Sequence, residues 1–300
     1  MKIFINGFWD GFLENTDPNK SFVLFYILEK TFDEKIYIGN LDESDLLLES
    51  VFSEKTYINY KKWKYTFLFN GESVRYLFDK RYKRFSEIPK YTCILSGRHT
   101  DFDKKIINFP LFMYYVYSNN YLPYLIKNEE ILDVPKKNIC AIISNGNSNE
   151  RNHFLDKLEK KINIDYAGRF RNNITRIEGS YNSNELFNFY SQYKFVICIE
   201  NTKQETYITE KIVNGFLGKT IPIYWGSNCV TDYFNEERFI NIPNFNDDTV
   251  NSAINKIESI INNDDEYLNV VNKPILKNNL LSRNIDSIVK DIKNLLSRQS

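Results

Sequence analysis

Two histidines, His99 and His153, are all that this chain of 300 residues contains. A zinc site or a Ser-His-Asp triad has little to build with. Cysteine is also thin. Cys93, Cys140, Cys198 and Cys229 are far apart, no C-x-x-C occurs, and three of them sit in apolar strand-like runs. They read as reduced core residues. Charge of one sign is lacking too, with Lys+Arg 39 against Asp+Glu 39. That excludes the global basic footprint of a nucleic-acid binder, though a local patch could still attract a phosphate-bearing small molecule. No segment approaches the ~20 apolar residues of a membrane span. The apolar run in "MKIFINGFWDGF" is too short for a signal peptide. The expectation is a cytoplasmic chain, with peripheral membrane association left open.

What is present is apolar and ring-rich. Hydrophobic residues make up 42% and aromatic residues 16%, with Phe 23 and Tyr 21, ample for real cores. In the first half, "KIFIN", "KIYIG", "YTFLFN" and "YTCILSG" are apolar runs separated by polar turns. "KSFVLFYILEKTF" between the first two has helical spacing at Phe22, Phe25, Tyr26 and Leu28. That alternation predicts an α/β layer. Near "ILDVPKKNICAIIS" the pattern restarts. From there "NICAIIS", "INIDYAG", "KFVICIE", "TIPIYWG" and "RFINIPNF" read as strands, alternating with helical segments. This predicts a second, doubly wound parallel sheet. The expected division is 1–133, 134–275 and a helical tail 276–300. Two α/β domains in series suggest a cleft, where ligands commonly bind.

The stretch "YITEKIVNGFLGKTIPIYWG", Tyr207 to Gly226, raises a particular question. "KFVICIE" is too uniformly apolar for a surface strand. It is expected at the sheet centre, followed by the polar loop "NTKQET" and a helix with Ile208, Ile212, Val213, Phe216 and Leu217 on one face. Thr206 or Thr209 can cap the helix start and Gly218 its end. The loop therefore lies at the carboxyl end of a strand, the ligand crevice of open α/β sheets. Glu210 and Lys211 stand in the first helical turn. A lysine there is mildly unfavourable for the helix alone. It makes sense if an anion such as a diphosphate is shared between Lys211 and the helix end, with Glu210 suited to ribose hydroxyls. A solvated Glu-Lys pair explains the residues equally well.

Two other motifs are weaker. "GFLGKT" is not a phosphate loop, because Val213 stands where the motif needs glycine and the order is helix-loop-strand. "DFD", Asp101 to Asp103, could hold a divalent cation, but an ordinary acidic turn explains it as well.

The segment "YKFVICIENTKQETYITEKIVNGFLGKTIPIYWGS" resembles the donor-binding core of the α-1,3/4-fucosyltransferases, glycosyltransferase family ten. The family shows a strand ending in Phe/Ile-Glu-Asn, then Tyr-Val-Thr-Glu-Lys-Ile and Pro-Ile-Tyr-Trp-Gly. "SNGNSNERNHFLDKL" is similar to its segment with a phosphate-contacting arginine, here Arg151. "AGRFRNN" is similar to its Arg-Asn-containing loop, here Gly168, Arg171 and Asn172. "YTFLFNGES" resembles the strand carrying the catalytic base, here Glu72. "FWDGF" and "INFPLFMYY" resemble further family segments. Ser73 stands where the family usually has Asn, and "NTKQET" departs from the common glycine-containing loop.

The resemblance implies a GT-B fold of two Rossmann-like domains facing a central cleft. The first domain would bind a glycan acceptor and supply Glu72 as base, with the tail 276–300 packing back on it. The second would hold GDP-fucose through Arg151, Gly168, Arg171, Asn172, Glu200, Asn201, Tyr207, Thr209, Glu210 and Lys211. No metal ligand set or tightly bound cofactor is implied. Stimulation by Mn or Mg is compatible with the motifs but not required by them. The alternatives are a transferase of the same fold using another nucleotide sugar, a non-catalytic carbohydrate-binding relative, and a metal-dependent transferase built on Asp101 and Asp103. Should Glu72 not be the base, Asp101, Asp103 and Asp10 come next.

Overall fold

The computed structural model describes residues 1–8, 23–53, 60–73, 88–97, 104–127, 129–177 and 182–299. Asp10, the rest of "FWDGF" beyond Phe8, Lys20–Phe22, His99 and Asp101–Asp103 lie outside the described residues. The chain divides into two compact units. One is Met1–Tyr121 with Gln204–Tyr207 and Arg283–Ser300, and the other is Leu122–Lys203 with Ile208–Ser282.

In the first unit the described elements are β1 (Lys2–Asn6), α1 (Val23–Phe32), β2 (Tyr37–Ile38), β3 (Leu46–Ser50), β4 (Tyr65–Asn70), β5 (Cys93–Ser96), β6 (Ile106–Asn108) and α2 (Leu111–Ser118). The strands form one sheet in the order β2-β1-β3-β4-β5-β6, and every pairing is parallel. Two strands are additions to the sequence reading. β3 is buried at all five positions, but its "LLLES" ends in polar residues and breaks the apolar signature. β6 is three residues long, too short for periodicity to register. Five strands end in a small polar side chain: Asn6, Ser50, Asn70, Ser96 and Asn108. The carboxyl edge of an otherwise apolar sheet is thus lined with hydrogen-bonding groups. The closing helix Ile285–Ser297 belongs to this unit and packs on α1. It buries Ile285, Ile288, Val289, Ile292 and Leu295, an i, i+3, i+4, i+7 stripe. Asn284 and Ser287 form its capping box.

The second unit contains α3 (Leu122–Lys127), β7 (Lys137–Ala141), α4 (Asn149–Glu159), β8 (Ile164–Tyr166), α5 (Asn184–Tyr190), β9 (Tyr193–Ile199), α6 (Glu210–Leu217), β10 (Ile221–Trp225), α7 (Val230–Tyr233), β11 (Ile240–Asn241), α8 (Asp247–Ile261) and α9 (Asp264–Val271). Its sheet runs β11-β10-β9-β7-β8, again all parallel. β9 is central and buried at all seven positions, as its unbroken apolar run requires. Phe154, Leu155 and Leu158 of α4, the residues expected inward, join Ile139, Phe195 and Ile223 in one core. The helix starts follow from side chains one can name in advance. Ser148, Ser183, Thr209, Asn246 and Asn263 each accept a backbone N–H of the helix they precede.

Gly168 follows β8 where the chain passes against the end of β7. A Cβ there would stand 2.4 Å from both the amide nitrogen and the carbonyl oxygen of Ile143. Backbone cannot swing aside as a side chain can. Gly168→Ala should therefore cost about 1–3 kcal/mol, the scale of overpacking. The shift of the urea midpoint at unchanged slope measures it, and an unshifted midpoint would mean that the loop gives way freely.

Candidate active site

The site residues expected from sequence fall into two groups. Glu72 and Tyr207 lie in the first unit; the other nine lie in the second. In the second unit, β9 ends at Ile199 and delivers Glu200 to the carboxyl edge of the sheet, where its amide bonds the Trp225 carbonyl at 2.8 Å. The Glu200 side chain is fully buried. Its carboxylate accepts the Thr209 amide at 2.8 Å, the Thr209 hydroxyl at 2.8–2.9 Å and the Lys211 ammonium at 3.0 Å. The same Thr209 oxygen accepts from Lys211 Nζ at 3.0 Å and caps α6 through the Lys211 amide. Glu210 is the more distant carboxylate, 4.0 Å from the ammonium. Gly226 makes room for this arrangement, since a Cβ there would lie 2.6 Å from Glu200 Cγ. Burial pushes the Glu200 carboxyl above its ordinary value, an effect that the neighbouring Lys211 opposes. Lys211 keeps 30% of its side chain exposed.

Arg151 stands in the first turn of α4, held by the Ser148 cap. It is 5% exposed, and its Nη2 donates to the Asn145 carbonyl. Its Nε has no hydrogen-bond partner among the described residues. Among the described residues no carboxylate pairs with it. Burial first, and then nearby Arg171, lowers its pKa from the ordinary arginine value. A guanidinium stays protonated nonetheless, so α4 begins with a desolvated positive charge.

Arg171 contrasts with it. Its φ is +57°, and its fork is already shared between Asp156 at 2.5 Å and Glu159 at 2.8 Å. Asn172 donates to the carbonyls of Tyr166 and Ile174 and so closes the loop after β8. Asn201 is exposed. With Glu150, Thr202, Lys203, Trp225, Asn244 and Phe245 it lines a cavity of about 340 Å³ at the carboxyl edge. Sequence reasoning left those six residues out. The loop "NTKQET", expected at the crevice, contains Thr202 and Lys203, and "IPIYWG" contains Trp225, which stacks on Phe245 at 4.9 Å.

In the first unit Glu72 follows β4. Its amide bonds Asn70 Oδ1 at 3.2 Å, and Asn70 Nδ2 donates to Ser96 Oγ at 3.1 Å. The Tyr207 hydroxyl donates to Glu72 Oε2 at 3.3 Å. Among the described residues no group of three or more His, Cys, Asp or Glu is placed to hold a metal ion. None of the described helices is long and apolar enough to cross a membrane.

Burial of Glu200 has a pH signature. Its raised pKa means that just above the ordinary value of 4.5 the native state binds more protons than the unfolded state. Stability from this group therefore falls as pH rises through that window. Glu200→Gln puts an amide before the Thr209 N–H and should cost about 1–3 kcal/mol. The stability difference between parent and variant should widen on going from pH 7 to 5. Urea midpoints at the two pH values check this, and a constant difference would place the titration elsewhere.

The chain is similar to known proteins in sequence and fold. Residues 133–272 match the model of glycosyltransferase family 10 (fucosyltransferase), C-terminal part. The α-(1,3)-fucosyltransferase FucT of Helicobacter pylori is 26% identical over 306 residues, covering 90% of this chain and 59% of the bacterial protein. The human 4-galactosyl-N-acetylglucosaminide 3-α-L-fucosyltransferase 9 is 30% identical over 125 residues, 40% of this chain and 33% of that one. The chain thus spans less than two thirds of either relative. The crystal structure of an α1,3-fucosyltransferase with GDP-fucose superposes with a TM-score of 0.68 at 22% identity, covering all of this chain and 91% of that one. The fold is GT-B, with two parallel-sheet α/β domains. Residues 133–272 thus match the C-terminal part of glycosyltransferase family 10, the fucosyltransferases, and the chain as a whole is similar to α-1,3-fucosyltransferases.

Proposed function

We propose that the chain transfers L-fucose from GDP-β-L-fucose to a hydroxyl of a glycan acceptor, with inversion at the anomeric carbon. The observation that carries this reading is Arg151, a guanidinium 5% exposed, at a helix start and without a carboxylate among the described residues. Such a charge is costly unless an anion completes it, and a diphosphate at a helix N-terminus does so. Lys211, in the first turn of α6, adds a second cation with 30% of its side chain exposed. The GDP-fucose bound to the solved α1,3-fucosyltransferase supports the choice of donor.

In this reading Glu72 accepts the proton of the acceptor hydroxyl as that oxygen bonds to the anomeric carbon. The bond from that carbon to the β-phosphate oxygen breaks on the opposite face, and its electron pair leaves with GDP. Arg151 bridges phosphate oxygens and Lys211 adds a point charge, so the leaving charge is stabilised without a required metal. Mn or Mg can still stimulate. Glu210 faces the ribose hydroxyls, while Asn201 and Tyr207 shape the pocket. Glu200 and Thr209 hold Lys211 in place, and Gly168, Arg171 and Asn172 form the loop wall. The first domain takes the acceptor and the second the nucleotide sugar. The buried, unpaired Cys93, Cys140 and Cys198 support a cytoplasmic setting.

Two variants test the assignment. Lys211→Gln removes the charge but keeps a donor toward Glu200. GDP affinity should fall roughly 10- to 150-fold, the equivalent of a lost charge-assisted bond of about 1.5–3 kcal/mol, with guanosine affinity nearly unchanged. Calorimetry with both ligands decides, and equal losses would make Lys211 structural. Glu72→Gln should leave GDP-fucose binding near normal and reduce transfer by roughly 100-fold or more. Transfer within a few-fold of the parent would remove Glu72 from the role of base.

A further inference from the structure

Four residues of the loop after β9, Gln204–Tyr207, belong to the first unit although the strand before them and the helix after them belong to the second. They are held tightly there. Thr206 is a β-branched residue at φ +58° and only 4% exposed. L-residues with a branched Cβ seldom adopt that conformation, and it costs on the order of 1–3 kcal/mol unless the surroundings enforce it. The enforcing neighbour is Gly97, just beyond β5. A Cβ at Gly97 would stand 2.7 Å from the Thr206 carbonyl oxygen, so only glycine lets the two backbones approach this closely. Gln204 Nε2 reaches the Gly97 carbonyl at 3.5 Å, and the Tyr207 amide bonds back to the Gln204 carbonyl at 3.2 Å.

What this strained turn delivers is one phenol. Tyr207 is 4% exposed and donates its hydroxyl proton to Glu72 Oε2 at 3.3 Å. The other end of Glu72 is fixed as well. Its amide is bonded by Asn70, and a Cβ at Gly71 would meet the Leu111 side chain at 2.9 Å. A free glutamate side chain carries up to about 2 kcal/mol of rotamer entropy, so an unheld carboxylate would spend most of its time misdirected.

We propose that Tyr207 is a positioning residue for the Glu72 carboxylate. Its hydroxyl, presented by the strained Thr206 turn, fixes Oε2 so that the base is aimed before the acceptor arrives. This inference rests on Glu72 being the base, and it gives Tyr207 a role separate from lining the donor pocket. A preorganised base raises kcat, whereas a wall of the nucleotide pocket acts on donor affinity.

The test uses the full chain and four proteins: parent, Tyr207→Phe, Glu72→Gln and the double variant. Phenylalanine keeps the ring and its packing and removes only the hydroxyl. Turnover is followed as GDP released from GDP-fucose with 4-galactosyl-N-acetylglucosaminide as probe acceptor, which counts transfer and hydrolysis together. Donor affinity is measured separately by GDP calorimetry. The expected result is a kcat loss of roughly 5- to 20-fold for Tyr207→Phe, on the scale of one lost hydrogen bond to a charged group. GDP affinity should change less than about 2-fold. In the Glu72→Gln background the second substitution should cost nothing further, since there is no carboxylate left to aim. Multiplicative losses, an effect confined to GDP affinity, or unchanged kcat in Tyr207→Phe would each overturn the proposal while leaving Glu72 as base. If Glu72→Gln itself turns over normally, or the parent releases no GDP, the underlying assignment of function fails instead.

Discussion

The second unit is organised around a carboxylate that never meets solvent. Glu200 ends the central strand, and everything that binds it comes from the next helix start: the Thr209 amide, the Thr209 hydroxyl and the Lys211 ammonium. Each bond ties β9 to the first turn of α6 across the intervening loop. A lysine at a helix N-terminus is opposed by the helix dipole. Glu200 supplies a field within the protein that offsets this opposition. The ionic pair that looked like Glu210–Lys211 in the sequence is in space chiefly Glu200–Lys211, 3.0 Å against 4.0 Å. Buried pairs of this kind contribute little net stability, but breaking one is expensive. They fix geometry, here that of a cation poised at a strand end.

The two arginines show how a structure separates committed from uncommitted charge. Arg171 has the more conspicuous setting, a left-handed residue in a polar loop, yet both arms of its fork are filled by Asp156 and Glu159. Among the described residues Arg151 has only the Asn145 carbonyl and the cap beneath it. Both were legible as candidates, and nothing in the letters distinguishes them. Whether a guanidinium is satisfied depends on which carboxylates the fold brings near. Asp156 and Glu159 lie on α4, the same helix that carries Arg151, but they project toward Arg171.

The broad organisation was legible for plain reasons. β9 and β10 are long apolar runs, α6 ends at Gly218, and five helices of the second unit, α4, α5, α6, α8 and α9, open with Ser, Thr or Asn caps. Two parallel α/β layers follow from that alternation. What stayed hidden was of two kinds. β3 carries Glu49 and Ser50 at buried positions, where Tyr91 satisfies the carboxylate at 2.6 Å. No pattern in "LLLES" announces a partner that arrives from position 91. The Thr206 turn was hidden as well, because "NTKQET" contains no glycine and suggests an ordinary polar loop. The glycine that makes it feasible is Gly97, in another part of the sequence. Close approach of two backbones is a property of pairs, and one strand of text shows only one member.

These local departures share a location. Glu200, Arg151, the Thr206 turn and the polar strand ends all lie where strands stop, at the carboxyl edges of the sheets. A buried ion pair adds little net stability, a desolvated guanidinium costs more, and a threonine at positive φ costs on the order of 1–3 kcal/mol. They are tolerated because the layers beneath are conventional, with β9 buried along its length between packed apolar neighbours. A fold at this margin can carry only a few such features. Their concentration on one edge of each sheet, rather than their individual chemistry, is what separates a site from a scatter of polar residues. The same reasoning explains why glycines recur beside them: Gly97, Gly168 and Gly226 each leave the space of one missing Cβ against a group that cannot move.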